Sequence, residues 1–275
     1  MRAVAIIAGK EIRDGLRNRW VAATILLLTT VSLSLYFLGS APTGSIKAGS
    51  LDVTVVSLTS LSVYLIPLIA LMISFDALVG EFERGTMLLL LTYPLARWQV
   101  VAGKFVGHMT ILLSAILIGY GGTALVISLA TGSSTENWQA YVTMMVSSWM
   151  LGGVFIAVGY LVSSLVSERA TAVGAATGVW LVAVVLYDLV LMSMLLADEQ
   201  QRIGQVLFST LLAVNPTDAY RIFNLTGYDS VSQAAGMADI GAKANLSPLL
   251  LLTVMGAWIL LPLIITVFRF RRREL

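Results

Sequence analysis

Residues 53–75 read VTVVSLTSLSVYLIPLIALMISF, a stretch without a charged side chain that lies between Asp52 and Asp76. A helix needs about 20 apolar residues to cross the hydrocarbon core of a bilayer, which is about 30 Å thick. No water is present there to hydrogen-bond open backbone groups, so the crossing segment has to be helical or part of a closed barrel. The stretch therefore predicts a membrane-spanning helix.

Five other stretches meet the same criterion, at residues 20–39, 105–131, 138–166, 170–197 and 248–268. The composition agrees, because 58% hydrophobic and 12% charged residues lie far from the soluble average. A net charge of +2 argues against nucleic acid as a partner. We predict an all-α polytopic membrane protein with six transmembrane helices, organised as one domain over residues 1–275.

The distribution of lysine and arginine predicts the orientation. Thirteen of the 17 basic residues fall in the N-terminal segment, the second and fourth connections and the C-terminal tail. The first, third and fifth connections share only four. Because basic flanks stay in the cytoplasm, both termini are predicted to be cytoplasmic, in a bacterial inner membrane.

Residues 1–19 form a candidate cytoplasmic surface helix. At helical spacing, apolar residues occupy one face and charged residues another. The apolar face holds Ala5, Ala8, Ile12 and Leu16, and the charged face holds Lys10, Arg13, Asp14 and Arg17. This pattern predicts a helix lying on the membrane surface. A simple charged extension of the first span is the alternative.

Motifs of an enzyme or a metal protein are missing from the sequence. No glycine-rich loop ends in Gly-Lys-Ser/Thr, and no Gly-x-Ser-x-Gly or His-Glu-x-x-His motif occurs. With no cysteine and one histidine, His108, a metal site is not expected. The eleven methionines are better explained as packing residues. We predict a chain that is not itself an enzyme and binds no metal or cofactor.

Asp188 is the one ionisable group inside the fifth span. A carboxylate at a helix centre costs about 2.5–3.5 kcal/mol on insertion scales, so it is expected to face protein or water. It marks either a pathway or dimer contact, or a structural group that is protonated or bonded to Tyr187. In the same span, Gly174 and Gly178 form a small-xxx-small pair that permits close approach of another helix.

Two segments outside the spans are long enough to carry function. The cytoplasmic segment 76–104 contains an apolar run at 87–91, which is too short to cross a bilayer and is punctuated by Gly85 and Pro94. This pattern predicts a short helix that docks on a soluble partner.

The external segment 198–247 is predicted to fold into short helices before the last span. One helix ends before Pro216, and Thr217 or Asp218 is expected to cap the next. These helices either seat an external partner or seal the outer end of the bundle.

The cytoplasmic segment resembles the coupling helix between spans two and three of ABC type-2 transporter permeases. The residues that carry the resemblance are Glu81, Glu83, Arg84, Gly85, Thr86, Leu89, Leu90, Pro94, Leu95 and Arg97, with Gly103 and Lys104 at the end of the segment. The fourth connection resembles the smaller, second coupling contact of that family through Ser167, Glu168 and Arg169. The likeness covers nearly the whole chain, with six spans and cytoplasmic termini.

The resemblance implies a separate cytoplasmic ABC ATPase subunit, which holds ATP and Mg, and a second copy of this chain in a homodimer. Within the family, the chain resembles permeases that serve maturation of the copper sites of nitrous-oxide reductase. That likeness implies a periplasmic β-helix protein as a further partner, in contact with the external residues Asn215, Pro216, Asp218, Tyr220 and Arg221. An export permease for lipid, drug or polysaccharide is the alternative, and an ion-coupled carrier that uses Asp188 is a third.

Overall fold

The computed structural model describes residues 2–39, 50–131, 138–197, 205–235 and 246–272. All regular elements in these ranges are helical, which confirms the all-α prediction. In chain order they are α1 (Arg2–Leu16), α2 (Arg19–Gly39), α3 (Ser50–Ser74), α4 (Val79–Glu83), α5 (Thr86–Leu91), α6 (Arg97–Thr131), α7 (Trp138–Leu165), α8 (Arg169–Trp180), a π-helical segment (Leu181–Leu186), α9 (Tyr187–Ala197), α10 (Gln205–Val214), α11 (Pro216–Thr226), α12 (Asp229–Ala234) and α13 (Pro248–Arg272).

Five of the described helices are long and apolar enough to cross a membrane, and α2 with α1 supplies a sixth candidate. The axes of Arg2–Leu16 and Val21–Phe37 differ in direction by 67°. Because the chain bends sharply between them, α1 does not continue the first span in a straight line. The polytopic membrane architecture is therefore confirmed, with α1 as a separate element in front of the first span.

The centre of the bundle is α7, which packs against α3, α6 and α13. Its buried tyrosines each have a hydrogen-bond partner, as amphipathic rings in a dry interior require. The hydroxyl of Tyr141 donates to the carbonyl of Tyr120 at 2.8 Å, and the hydroxyl of Tyr160 lies 2.8 Å from His108 Nδ1. Most of the core is thus filled by apolar side chains, and a few hydrogen bonds from hydroxyl groups fix the position of neighbouring helices relative to one another.

The helix α1 lies along the beginning of α6, and a glycine of α6 makes the close approach possible. A Cβ atom at Gly103 would lie 2.8 Å from Ile7 Cβ and 3.0 Å from the carbonyl oxygen of Val4. A side chain larger than hydrogen at this position would push the two helices apart. Ile7 and Ala8 are consequently buried, whereas Ile6 and Leu16 are exposed.

The two chain ends come together at the same end of the bundle. The guanidinium of Arg97, at the start of α6, donates to the carbonyl oxygens of Phe270 and Arg271 in the last turn of α13. Arg97 Nη1 lies 2.9 Å from the Arg271 oxygen. The helix α1 contacts the same end of α6.

We expect Gly103→Leu to separate α1 from α6 and to lower the free energy of unfolding by about 1–3 kcal/mol, the usual cost of overpacking. Thermal unfolding of the purified protein in detergent measures the effect. Gly122→Leu is the matched control, because a Cβ at Gly122 on the same helix meets no atom within 4 Å. Equal melting temperatures for the two variants would contradict the close packing at Gly103.

Candidate functional site

The predicted docking helix is present between Gly85 and Pro94 as α5. Gly85 adopts a left-handed backbone conformation with φ of 69°, which turns the chain from α4 into α5. Met87 is fully buried and anchors the helix. Leu88 and Leu89 are 54% and 67% exposed, so the apolar face of this helix points away from the protein.

A buried charge cluster lies beneath α5. The ammonium group of Lys104 lies 3.1 Å from Glu81 Oε1 and 2.7 Å from Glu11 Oε1. The Lys104 side chain is only 4% exposed. Lys10 reaches Glu81 at 3.3 Å, and the hydroxyl of Thr86 donates to the other Glu81 oxygen. The cluster therefore joins three elements, namely α1, α4 and α6.

Glu81 is not on the rim of the docking surface, where its place in the coupling motif suggested it. Its carboxylate is turned inward because Lys104 and Thr86 hold it, which leaves the residue 7% exposed. Glu83 and Arg84 are exposed and do lie on the surface. Glu11 was not identified from the sequence, and Lys104 was recognised only as the end of the coupling motif, since their meeting depends on the packing of α1 on α6.

The fourth connection lies directly against the cytoplasmic segment. The carboxylate of Glu83 accepts a hydrogen bond of 2.7 Å from the backbone N–H of Arg169, at the first turn of α8. The guanidinium Nε of Arg169 lies 2.7 Å from Asp76 Oδ1. Ser167 and Glu168 are exposed beside them. The two segments that resemble coupling contacts thus form one continuous surface.

Arg97 has a different role from the one its position in the motif suggested. Its guanidinium caps the C-terminal carbonyls of α13 and lies 5.5 Å from the centre of the Phe270 ring. A cation at a helix C-terminus is stabilising because it compensates the partial negative charge there. Pro94 is exposed at the end of α5 and stays on the docking surface.

At the opposite end of the bundle, α11 is hooked onto the fifth span. The side-chain oxygen of Asn215 accepts a hydrogen bond of 3.1 Å from the N–H of Thr217, so Asn215 caps the helix, and not Thr217 or Asp218. The Asn215 amide also donates to the carbonyl of Ala183 at 2.9 Å. Ala183 lies in the π-helical segment, and such departures from regular α-helical geometry are rare.

The external residues assigned to partner contact are turned into the protein. Asn215, Pro216, Asp218 and Tyr220 are all buried, and Arg221 is partly buried. The reason is that α11 packs between α3, α7 and α13. The hydroxyl of Tyr220, for example, lies 2.8 Å from Ser148 Oγ. These side chains therefore pack inside the bundle and do not present a surface to a partner.

Residues 198–204 and 236–245 of the predicted external segment lie outside the described residues.

Asp188 pairs with an arginine 33 positions further along the chain. Arg221 Nη2 lies 2.7 Å from Asp188 Oδ2, and Arg221 Nη1 lies 3.1 Å from Asp218 Oδ1. Tyr187 is not the partner, because its hydroxyl donates to the carbonyl of Leu211 at 2.7 Å. The sequence contained no signal for this ion pair beyond an arginine in the external segment.

Gly174 and Gly178 lie on the outer face of α8. Both are exposed, and a Cβ atom at either position would meet nothing within 4 Å. The small-residue pair therefore does not serve packing within the chain. Among the described residues, no three histidine or acidic side chains are arranged to hold a metal ion.

Comparison with known proteins agrees with this architecture. The model of the ABC-2 family transporter proteins matches residues 5–275. The chain belongs to the ABC-2 transporter family. Two proteins named "Probable ABC transporter permease protein NosY" are similar to it. The one from Stutzerimonas stutzeri is 42% identical, with 99% of each chain covered, and the one from Pseudomonas aeruginosa is 43% identical over the full length of both.

Membership of the ABC-2 family gives the surface around α5 a context. The exposed leucines of α5, the carboxylate of Glu83 and the exposed Ser167 and Glu168 lie at the end of the bundle where α6 begins. The membrane spans connect this surface to the short helices α10, α11 and α12 at the other end of the bundle.

We expect Lys104→Met to destabilise the protein by about 3–5 kcal/mol, because it leaves the buried carboxylates of Glu11 and Glu81 without their main partner. Lys10→Met removes a lysine that touches the same Glu81 but has a side chain 56% exposed, so its cost should stay below about 1 kcal/mol. Thermal unfolding in detergent compares the two. Similar losses for the two variants would show that Lys104 does not hold the cluster together.

Proposed function

We propose that this ABC-2 permease converts ATP hydrolysis by a separate cytoplasmic subunit into movement of its spans, in the maturation of the copper sites of nitrous-oxide reductase. The observation that supports coupling most directly is the pair of exposed leucines on α5, held above a buried charge cluster. Exposed apolar side chains on a rigid helix are what a partner protein buries at the centre of an interface.

The docking surface comprises the apolar centre on α5 and a polar rim. Leu88, Leu89 and Tyr93 are strongly exposed and form the centre, and burying one such leucine completely is worth about 1.5–3 kcal/mol. Leu90 is half-buried against the core and supports the helix from below. The rim consists of the exposed side chains of Glu83, Arg84, Ser167 and Glu168.

The buried cluster connects α5 mechanically to the first membrane span. A displacement of α5 is passed to α4 through Met87 and Thr86, and Glu81 of α4 is bonded through Lys104 to Glu11 of α1. Because α1 leads directly into α2, displacement of the docking helix moves the first span. ATP and Mg belong to the partner in this scheme, since the chain has no phosphate-binding loop.

The maturation role is supported by the two full-length relatives, whose name is that of the permease in nitrous-oxide reductase maturation systems. In this role the chain works as a mechanical element and does not ligate copper. A periplasmic β-helix protein is the proposed partner at the external end. Its contacts would be made by exposed positions after the end of α11 and in α12, among them Gly227, Asp229 and Gln233.

A second copy of the chain is proposed to pack on the outer face of α8. Gly174 and Gly178 offer a smooth groove there, and the neighbouring Val173 and Val182 are exposed. Small residues allow helices in a membrane to approach closely, where van der Waals contact drives association. The homodimer places two docking surfaces side by side for two ATPase subunits.

We expect Leu89→Asp to weaken binding of the ATPase subunit at least about tenfold, or about 1.4 kcal/mol, because it buries an unpaired charge in the interface. Copurification and ATPase activity of the complex, coexpressed with its ATPase, measure the loss. Leu207→Asp is the matched control, since Leu207 is also exposed but lies on α10 at the opposite end. A Leu89→Asp complex with normal ATPase binding and activity would refute the docking surface.

The proposed orientation places α1, the cytoplasmic segment and both termini in the cytoplasm, on the strength of the 13-to-4 distribution of basic residues. The chain has no cysteine, so single introduced thiols report the side directly. A membrane-impermeant maleimide should label Gln233→Cys in cells whose inner membrane is intact. It should label Leu89→Cys only after that membrane is permeabilised. The reverse pattern would invert the orientation.

A further inference from the structure

Three charged side chains join the second half of the fifth span to the external helix α11. One guanidinium, that of Arg221, lies between two carboxyl groups, at 2.7 Å from Asp188 and 3.1 Å from Asp218. Asp188 belongs to α9, whereas Asp218 and Arg221 belong to α11. The cluster thus contains two acids and one base, and it has a net charge of −1 if the two acids are ionised.

The two carboxyl groups are held side by side by the same guanidinium. Arg221 Nη2 bonds to Asp188 and the neighbouring Nη1 bonds to Asp218. Asp218 is 1% exposed, and its second oxygen, Oδ2, is buried and has no hydrogen-bond donor among the described residues. An ionised carboxylate only accepts hydrogen bonds, so two ionised carboxylates cannot bond to each other. The contact becomes favourable when one of them holds a proton.

We propose that Asp188 and Asp218 together bind one exchangeable proton, and that this proton tightens the attachment of α11 to the fifth span. The proton makes one acid a donor to the other, while Arg221 pairs with the remaining negative charge. The cluster is then neutral, which suits its burial. A metal ion is a poor alternative to the proton, because the guanidinium of Arg221 already binds one oxygen of each carboxyl group.

The electrostatic surroundings of Asp218 agree with a bound proton. Burial, with a further contribution from the charge of Asp188, raises the pKa of Asp218 to about 7, although Arg221 opposes the shift. The other titratable groups that face the cluster are the phenols of Tyr187 on α9 and Tyr64 on α3. No further base on the described elements is available to neutralise the second carboxylate.

The proton acts at a junction that has three other hydrogen bonds. The Asn215 amide and the Thr217 hydroxyl both donate to the Ala183 carbonyl in the π-helical segment, and the Tyr187 hydroxyl donates to the Leu211 carbonyl in α10. All three bonds join neutral groups, so they do not change when the acid pair gains or loses its proton. The carboxyl pair is therefore the part of the junction that responds to the external pH.

The sign of the pH effect follows from the direction of the shift. A carboxyl group whose pKa is raised on folding binds a proton in the native state over a range in which the unfolded chain has lost it. The contribution of Asp218 to stability is thus greatest at low pH. It falls as the pH rises from the ordinary value for aspartate, about 4, towards 7, and it is constant above that range.

Infrared spectroscopy of the purified full chain, with aspartate labelled by ¹³C, detects the proton directly. At about pH 5 the wild type should show the carbonyl absorption of a protonated aspartic acid, and this band should disappear by about pH 9. Between about pH 5 and pH 9, where ordinary aspartates are mostly ionised, Asp218→Asn should lack the titrating band. Asp52→Asn is the control, since Asp52 is also a buried external acid but bonds to Ser230 and should leave the band unchanged.

Thermal unfolding provides a second readout of the same proton. Between about pH 5 and pH 8, the melting temperature of the wild type should fall relative to that of Asp218→Asn, whose amide does not titrate. If Asp218→Asn does not fold, Asp188→Asn removes the other half of the pair and should abolish the infrared band equally.

Absence of a titrating aspartic acid band in the wild type would overturn the proposal. So would a band that persists in the folded variants of both acids. Neither result bears on ATPase docking, so the proton site and the proposed function fail separately.

Discussion

No water reaches the hydrocarbon core of a bilayer, so each backbone amide and carbonyl in the spans has to find its partner within the protein. The helices of this chain follow from that constraint, and so do the exceptions. In the π-helical segment of the fifth span, the carbonyl of Ala183 accepts a hydrogen bond from the side chain of Asn215. The external helix is thereby attached at the point where the span departs from regular geometry.

The same low dielectric makes the buried charges at the two ends important. A six-residue helix such as α5 is far too short to be stable alone, because helix nucleation is unfavourable and few hydrogen bonds repay it. The helix is held in place by the buried side chain of Met87 and by the charge cluster around Lys104. A helix on a flexible loop would move without displacing the spans. In the proposed coupling, a helix that is fixed to α1 and α6 transmits the movement of the partner to them.

The two ends differ in how their buried charges are paired. Beneath α5, Lys104 bridges the carboxylates of Glu11 and Glu81, and Lys10 reaches both of them and also the exposed Asp14 at 3.7 Å. At the other end, Arg221 alone faces Asp188 and Asp218, and the buried Oδ2 of Asp218 has no hydrogen-bond partner among the described residues. The first cluster has two ammonium groups for its two buried carboxylates, whereas the second has one guanidinium for two. The bundle of α3, α6, α7 and α13 connects the two.

The sequence by itself determined the helical class, the position of the spans and the short helix between Gly85 and Pro94. These features depend on local properties, namely the length of apolar runs and the backbone preferences of glycine and proline, which a single chain displays in order. Only the tertiary structure decided which charges meet. The partners Glu11 and Lys104 are 93 positions apart, and Asp188 and Arg221 are 33 apart. Burial of Glu81 and Tyr220, which the motif and the external segment suggested as surface residues, was likewise set by packing. An amphipathic helix specifies that one face is buried, but the neighbouring helices determine which polar groups on that face find a partner.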